Sequence, residues 1–334
     1  MSRVVVTGGA GYIGSHAVRA LVDAGHAVAV LDNLSAGHPE SLPAGVPLVR
    51  AAIHDVDEVR RLLVDHRADA VMHFAAWLAV SESVQKPLEY YQNNVSGTLA
   101  VLEAMRAEAV RRFVFSSTCA VYGEPERVPI VESQPTQPIN AYGETKLTIE
   151  RALPHLERAH GLRWMALRYF NAAGAHPDGT IGEDHALEIH LIPLAIQAAI
   201  GGKPLKVFGE DYPTPDGTCQ RDYIHVCDLA EAHLCALAAL EQGAPSAAYN
   251  IGTGTPQSVR AVIETVSRVV GRPVAWEAAP RRDGDPARLY ASSDRAQGEL
   301  KWTPRFSDLE VIVRHAWQWH STHPTGYRVS DTRG

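Results

Sequence analysis

Tyr142 and Lys146 stand four residues apart in Ala141-Tyr142-Gly143-Glu144-Thr145-Lys146, which puts a phenol and an ammonium one turn apart on the same face of a helix. A phenol with its ordinary pKa of about 10 is a poor base, but a nearby ammonium stabilises the phenolate and brings it closer to working pH. Alone, such a pair reads as a surface tyrosine and lysine. Two further features, a glycine turn before the pair and Ser116-Ser117-Thr118 between them, reverse that reading. Thr7-Gly8-Gly9-Ala10-Gly11-Tyr12-Ile13-Gly14 follows an apolar run and opens a helical one, so Gly8, Gly11 and Gly14 fall where a backbone must turn tightly and approach a pyrophosphate at a helix N-terminus. Asp32 closes the next apolar run, where a carboxylate binds adenosine ribose hydroxyls and repels a 2′-phosphate. No arginine follows in Asp32-Asn33-Leu34-Ser35, which favours NAD over NADP. Ser116-Ser117-Thr118, at the end of a strand between turn and pair, adds hydroxyls.

The elements that must position these groups are legible in the first half of the chain. Val4 to Thr7, Ala27 to Leu31, Ala70 to Phe74, Phe113 to Ser116 and Trp164 to Arg168 read as strands. Ile13 to Ala24, Asp55 to Arg67, Pro87 to Arg106 and Ala141 to His160 read as the helices between them, with Asp55 as an N-cap and Gly25 and Gly161 as C-cap glycines. The alternation predicts an α/β fold, a Rossmann-type doubly wound parallel sheet with right-handed crossovers. After Asn171 the texture turns rich in Gly, Pro and Asp, from Gly174 to Gly182 and from Phe208 to Gly217, around an apolar helix near Leu191 to Ile200. Residues 1–173 with about 226–256 are expected to form the NAD-binding domain. Residues 174–225 with about 257–334 would form a smaller, discontinuous α/β substrate domain.

Composition sets outer limits. A chain of 334 residues, 46% hydrophobic, is long enough for a large core with a second domain beside it. Its formal charge of −7 and lack of a Lys/Arg run argue against nucleic-acid or anionic-membrane partners, so an anionic ligand needs local cations. Met1 and Ser2 lead at once into Val4-Val5-Val6, and no apolar run is long enough to span a bilayer, which predicts a cytoplasmic protein. The four cysteines form no Cys-x-x-Cys pair. His185 and His190, five apart, match no familiar ligand spacing, and no metal is expected.

From Val4 to about Tyr327 the chain resembles the extended short-chain dehydrogenase/reductases, and within them the UDP-galactose 4-epimerases. The most specific stretches are His73-Phe74-Ala75-Ala76, Glu82-Ser83-Val84-Gln85-Lys86-Pro87, Asn93-Asn94-Val95, Leu167-Arg168-Tyr169-Phe170-Asn171, Asp216-Gly217-Thr218, Arg221-Asp222-Tyr223-Ile224-His225-Val226 and Arg281-Arg282-Asp283-Gly284-Asp285. By position, the resemblance implies that Thr118, Tyr142 and Lys146 are catalytic. It implies an NAD site lined by Gly8, Gly11, Tyr12, Ile13, Gly14, Asp32, Asn33, Ile53, Phe74, Ala75, Asn93 and Tyr169, together with Tyr142 and Lys146. Asn171, His190, Leu191, Val207, Phe208, Arg221, Arg282 and Asp285 would hold UDP, the arginines supplying bidentate partners for a diphosphate. Leu289 would close the sugar pocket.

The implied reaction interconverts UDP-glucose and UDP-galactose through a 4-keto sugar, with slower turnover of UDP-N-acetylglucosamine. A UDP-xylose/UDP-arabinose 4-epimerase is the alternative, because Ser117-Thr118-Cys119-Ala120 and Gly123-Glu124-Pro125-Glu126 also resemble that branch. Three positions depart from the family pattern: Ala52 replaces an aspartate near the adenine, Leu78 a lysine near the pyrophosphate, and Thr118 the more familiar serine. Relatives commonly form homodimers, which predicts an interface of the helices around Pro87 to Arg106 and Ala141 to His160, with Leu99, Leu102, Leu147 and Ile149 as its apolar positions.

Overall fold

A computed structural model describes residues 1–282 and 284–327. Short runs of Val, Ala and Phe form six early strands, β1 (Arg3–Thr7), β2 (Ala27–Asp32), β3 (Leu48–Arg50), β4 (Ala70–His73), β5 (Arg112–Thr118) and β6 (Arg163–Tyr169). With β10 (Ala247–Ile251) they make a seven-stranded parallel sheet of order β10-β6-β5-β4-β1-β2-β3. The order reverses direction after β3, which is the doubly wound pattern.

Strand alternation divides the core in two. Val4 and Val6 face a cluster shared with α1 (Tyr12–Asp23) and α8 (Val226–Glu241). Val5 and Val71 face the other cluster, under α2 (Val56–His66), α5 (Gly97–Ala107) and α6 (Ala141–His160). The expected helix from Pro87 to Arg106 is interrupted. α3 (Val80–Gln85) and α4 (Pro87–Tyr90) lead into one wider π turn over Tyr91–Ser96 before α5 begins.

A second sheet gathers β7 (Asn171–Ala173), β9 (Gln220–His225), β11 (Pro256–Ser258) and β13 (Arg288–Leu289), while β8 (Leu205–Phe208) pairs with β12 (Trp276–Ala279). α7 (Leu191–Ala199), α9 (Val259–Val270) and α11 (Leu309–Thr322) pack against them in a third core. Two departures from the expected division follow. The chain joins the second sheet at Asn171, two residues before the expected border at 173. Residues expected in the smaller domain also return to the first core: after α10 (Asp294–Glu299), Leu300 and Trp302 pack beside Val4 and Leu237, and the Trp302 indole donates to the Asp228 carbonyl at 2.9 Å.

Three of the four apolar positions assigned to a dimer interface serve the chain's own core. Leu102 and Ile149 lie under the sheet face and Leu147 packs beside Tyr122, because the apolar stripe of α6 is spent on its own strands. Leu99 stays exposed. No helix among the described residues is long and apolar enough to cross a membrane.

Candidate active site

The glycine turn runs from the end of β1 into α1. Gly8 has φ +70°, and a side chain there would also put Cβ 2.5 Å from the Ala75 nitrogen; a Cβ on Gly14 would stand 2.1 Å from the Gly8 carbonyl oxygen. The turn, Tyr12 and Ile13 therefore bring backbone, not side chains, to the head of α1. The Tyr12 hydroxyl donates to the Gly174 carbonyl at 2.7 Å and ties this helix to the segment just after β7. Asp32 ends β2 buried, its carboxylate held by the Ala10 nitrogen at 3.0 Å and the Leu34 nitrogen at 2.8 Å. Burial raises its pKa against those two hydrogen bonds. Asn33 beside it is exposed and caps its own turn at Ser35.

Phe74 and Ala75 follow β4, Thr118 ends β5 and Tyr169 ends β6, so these groups converge on the carboxyl edge of the sheet, where doubly wound folds bind ligands. Asn93 sits half-buried in the π turn. Ile53 is set deeper, in the core against Gly97.

α6 brings the catalytic candidates to that edge. Asn140 caps it by accepting from the Gly143 nitrogen at 2.9 Å. A Cβ on Gly143 would lie 2.6 Å from the Ala120 carbonyl oxygen, so glycine is what lets the first turn of α6 press against the segment just after Thr118. A glycine inside a helix costs about 1 kcal/mol relative to alanine; this close approach is its return. Thr118, Tyr142 and Lys146 are all buried. The Lys146 ammonium sits 5.0 Å over the Phe115 ring and donates to the Ser116 carbonyl at 2.8 Å. Burial pushes it down to about 7. Burial, and then the nearby Tyr169, raise the Tyr142 phenol well above its ordinary value, while a hydrogen bond with Thr118 works the other way. Burial thus opposes the charged form of both groups.

Four positioning features were not singled out in the sequence. Asn94 uses its whole amide: it donates to the Trp77 carbonyl at 3.0 Å and Thr145 Oγ1 at 3.2 Å, and accepts from the Trp77 nitrogen at 2.8 Å and Asn93 at 3.0 Å. The widened π turn thereby clamps α6. Glu150, one turn beyond Lys146, takes Arg168 through Nε at 3.0 and 3.1 Å and accepts from Ser117, locking α6 to β5 and β6. Asp222 is fully buried and accepts from the nitrogens of Thr253, Gly254 and Ala291 at 2.8, 3.0 and 3.2 Å. The fourth is Gly143, whose place inside a helix was the one signal available in advance.

Across the cleft, Arg221 and Leu289 are register partners on β9 and β13 and so share a face of the sheet. Arg221 is paired with Asp285 and also donates to the Gln220 carbonyl at 2.7 Å. Arg282 is exposed and stacks 3.9 Å over the half-buried Phe208 ring. Leu289 packs against the cluster containing Cys119, Tyr122 and Phe170, immediately beyond Thr118. Asn171 donates to the Asp222 carbonyl at 3.3 Å, and His190 and Leu191 open α7. Val207 points into the third core and is paired in register with Ala278 of β12. Asp283 lies outside the described residues.

The residues present fit a bound dinucleotide. Lys146 has three donors, of which the Ser116 carbonyl takes one, and the remainder suit a ribose diol. Residues 4–252 match the model of the NAD dependent epimerase/dehydratase family. The chain belongs to that family. Within it, the chain is 51% identical over 329 residues to the UDP-glucose 4-epimerase of Halalkalibacterium halodurans, covering 98% of each. A solved UDP-glucose 4-epimerase superposes with TM-score 0.95 at 48% identity, over 98% of this chain and 99% of that one. The Brucella ovis UDP-glucose 4-epimerase, solved in complex with NAD, gives TM-score 0.93 at 45% identity, over 96% and 98%.

Proposed function

We propose that this chain is an NAD-dependent UDP-glucose 4-epimerase, an isomerase that interconverts UDP-glucose and UDP-galactose. The observation that carries the reading is the buried meeting of Thr118, Tyr142 and Lys146 beside the glycine turn, with Arg221 across the cleft. Bound NAD would supply a hydride acceptor that returns the hydride. Tyr142 takes the proton of the sugar 4-hydroxyl, with Thr118 bridging, and returns it after the 4-keto sugar has turned over. Lys146 holds the cofactor ribose, and its ammonium stabilises the Tyr142 phenolate. Gly8, Gly11, Tyr12, Ile13, Gly14, Asp32, Asn33, Ile53, Phe74, Ala75, Asn93 and Tyr169 form the cofactor side. Asn171, Leu191, Val207, Phe208, Arg221, Arg282 and Asp285 hold UDP, and Leu289 walls the sugar.

Purified protein given UDP-galactose should form UDP-glucose and, when denatured, release NAD. Release of NADP, or no conversion with NAD present, would overturn the reading. A panel that includes UDP-xylose and UDP-arabinose ranks the sugars.

The domain division expected from the sequence serves this chemistry, with β7 counted in the smaller domain and residues 294–302 in the larger. A homodimer fits the exposed apolar run of Val80, Val84, Leu88 and Leu99 on α3 to α5, where Leu88 is 75% exposed. A single-chain mass by light scattering at micromolar concentration would overturn that arrangement. All four cysteines are unpaired, which suits the cytoplasm.

A further inference from the structure

Glu183, His185, Glu188 and His190 lie in the segment between β7 and α7, outside helix and strand, spaced Glu-x-His-x-x-Glu-x-His. The sequence alone suggested no metal, because two histidines five apart share no helical face. In an irregular segment that bends at residues 186–187 that objection lapses. The four side chains turn inward, and one potential ligand atom from each lies within 4.8 Å of the others.

The polar atoms there meet one another at ion-pair distances, without regular hydrogen-bond geometry. The Glu183 side chain is 97% buried (3% exposed), yet its Oε1 makes no hydrogen bond, and neither does Nδ1 of His185 or of His190, all three atoms being shut off from solvent. Such atoms are costly to bury, and each unexplained one points to a missing partner. Their spacing indicates what the partner is. Tetrahedral zinc with bonds of about 2.0 to 2.2 Å holds its ligand atoms about 3.4 Å apart. His185 Nδ1 stands 3.3 Å from Glu183 Oε1 and 3.5 Å from Glu188 Oε2, while His190 Nδ1 stands 3.2 Å from the other Glu188 oxygen, Oε1, so a bound ion would draw on one oxygen of Glu188. The closer edge, His190 to Glu183 at 2.5 Å, opens when an ion enters between them.

Outer contacts already aim the ligands. Glu188 Oε1 accepts from the backbone nitrogens of Ile189 and His190 at 2.8 Å each, and the Glu183 carbonyl accepts from the Trp319 indole at 3.1 Å.

We propose that Glu183, His185, Glu188 and His190 bind one zinc-class divalent cation that fixes the segment entering α7. Four protein ligands complete a tetrahedral site, so the ion has no open position and acts structurally. Its place explains its use. His190 occupies the N-cap position of α7, and His185 stacks edge-on 6.4 Å from Tyr12, which is bound to Gly174, so the ion pins the substrate-side segment against the head of α1. His190 then serves the nucleotide indirectly, by fixing the first turn of α7. The inference stands apart from the proposed reaction.

Protein without a histidine tag is stripped with EDTA, reloaded with Zn(II), desalted and assayed for metal; Co(II) loading gives a visible spectrum. We expect one zinc per chain, tetrahedral Co(II) bands, and a higher melting temperature in the loaded form. His185→Ala and Glu188→Gln should each lower zinc affinity by more than about 100-fold, since loss of outer partners alone costs about 10- to 100-fold. Folding is followed by circular dichroism. Well under one zinc per chain, or full zinc retention in both folded variants, would overturn the proposal, and would leave two imidazolium–carboxylate pairs in its place. If the variants do not fold, the native stoichiometry and Co(II) spectrum decide.

Discussion

The two sides of the cleft are built from different materials. The cofactor side is backbone and small residues: a Cβ on Gly14 has 2.1 Å of room, and Asp32 is held by two backbone nitrogens. The side proposed to hold UDP is long side chains that already have partners, Arg221 on Asp285 and Arg282 on Phe208. A cradle of the first kind is fixed when the chain folds and suits a ligand that stays. Paired arginines can exchange a carboxylate or ring for a diphosphate and back, which suits a ligand that leaves in every cycle.

The sharpest test of this contrast lies between the two sides. Tyr142→Phe removes the base without reshaping either wall. Turnover should fall about 100- to 10,000-fold while UDP affinity stays unchanged, as steady-state kinetics and calorimetry would show. Activity near that of the native protein would remove Tyr142 from the mechanism.

On the rigid side, Gly14→Ala forces the backbone of the turn apart. The protein should purify without NAD, measured as nucleotide released on denaturation, and should melt lower. Full NAD occupancy would mean that the cradle yields more than its geometry allows.

On the exchangeable side, Arg221→Ala strands Asp285 and takes one cation from the diphosphate. UDP affinity should weaken by about 2 kcal/mol, roughly 30-fold, with NAD content unchanged. Loss of NAD together with UDP would erase the distinction between the two sides.

The narrowest effect, confined to one substrate, belongs to the sugar wall. A 2-acetamido group against a well-packed leucine costs about 1 to 3 kcal/mol in strain. Leu289→Tyr should therefore abolish turnover of UDP-N-acetylglucosamine and spare UDP-glucose, while Leu289→Ser should raise it. Unchanged ratios in both variants would place the wall elsewhere; Tyr290, the next residue, is the one to test.

The sequence determined the features whose physics is local. A glycine turn after a strand, a carboxylate at the end of the next strand, and a phenol and ammonium at i and i+4 depend on one steric demand or one helical period, and the structure holds all three where that period puts them. Tertiary structure decided whatever depends on register or on partners distant in sequence. Leu289 shares a sheet face with Arg221 because β13 pairs with β9 in that register, and neither strand carries a strong period of its own. Leu102, Leu147 and Ile149 could have served a partner or their own sheet, and only packing chose the sheet. The Glu150–Arg168 pair joins residues 18 apart through neighbouring elements. Lys146 and Tyr142 share a face by helical period, but the depth that makes both resist ionisation comes from the strands that bury them. His185 and His190 looked unrelated because helical spacing was the only rule to judge them by; an aperiodic segment, held in place by Trp319 and the head of α7, is what turns them toward Glu183.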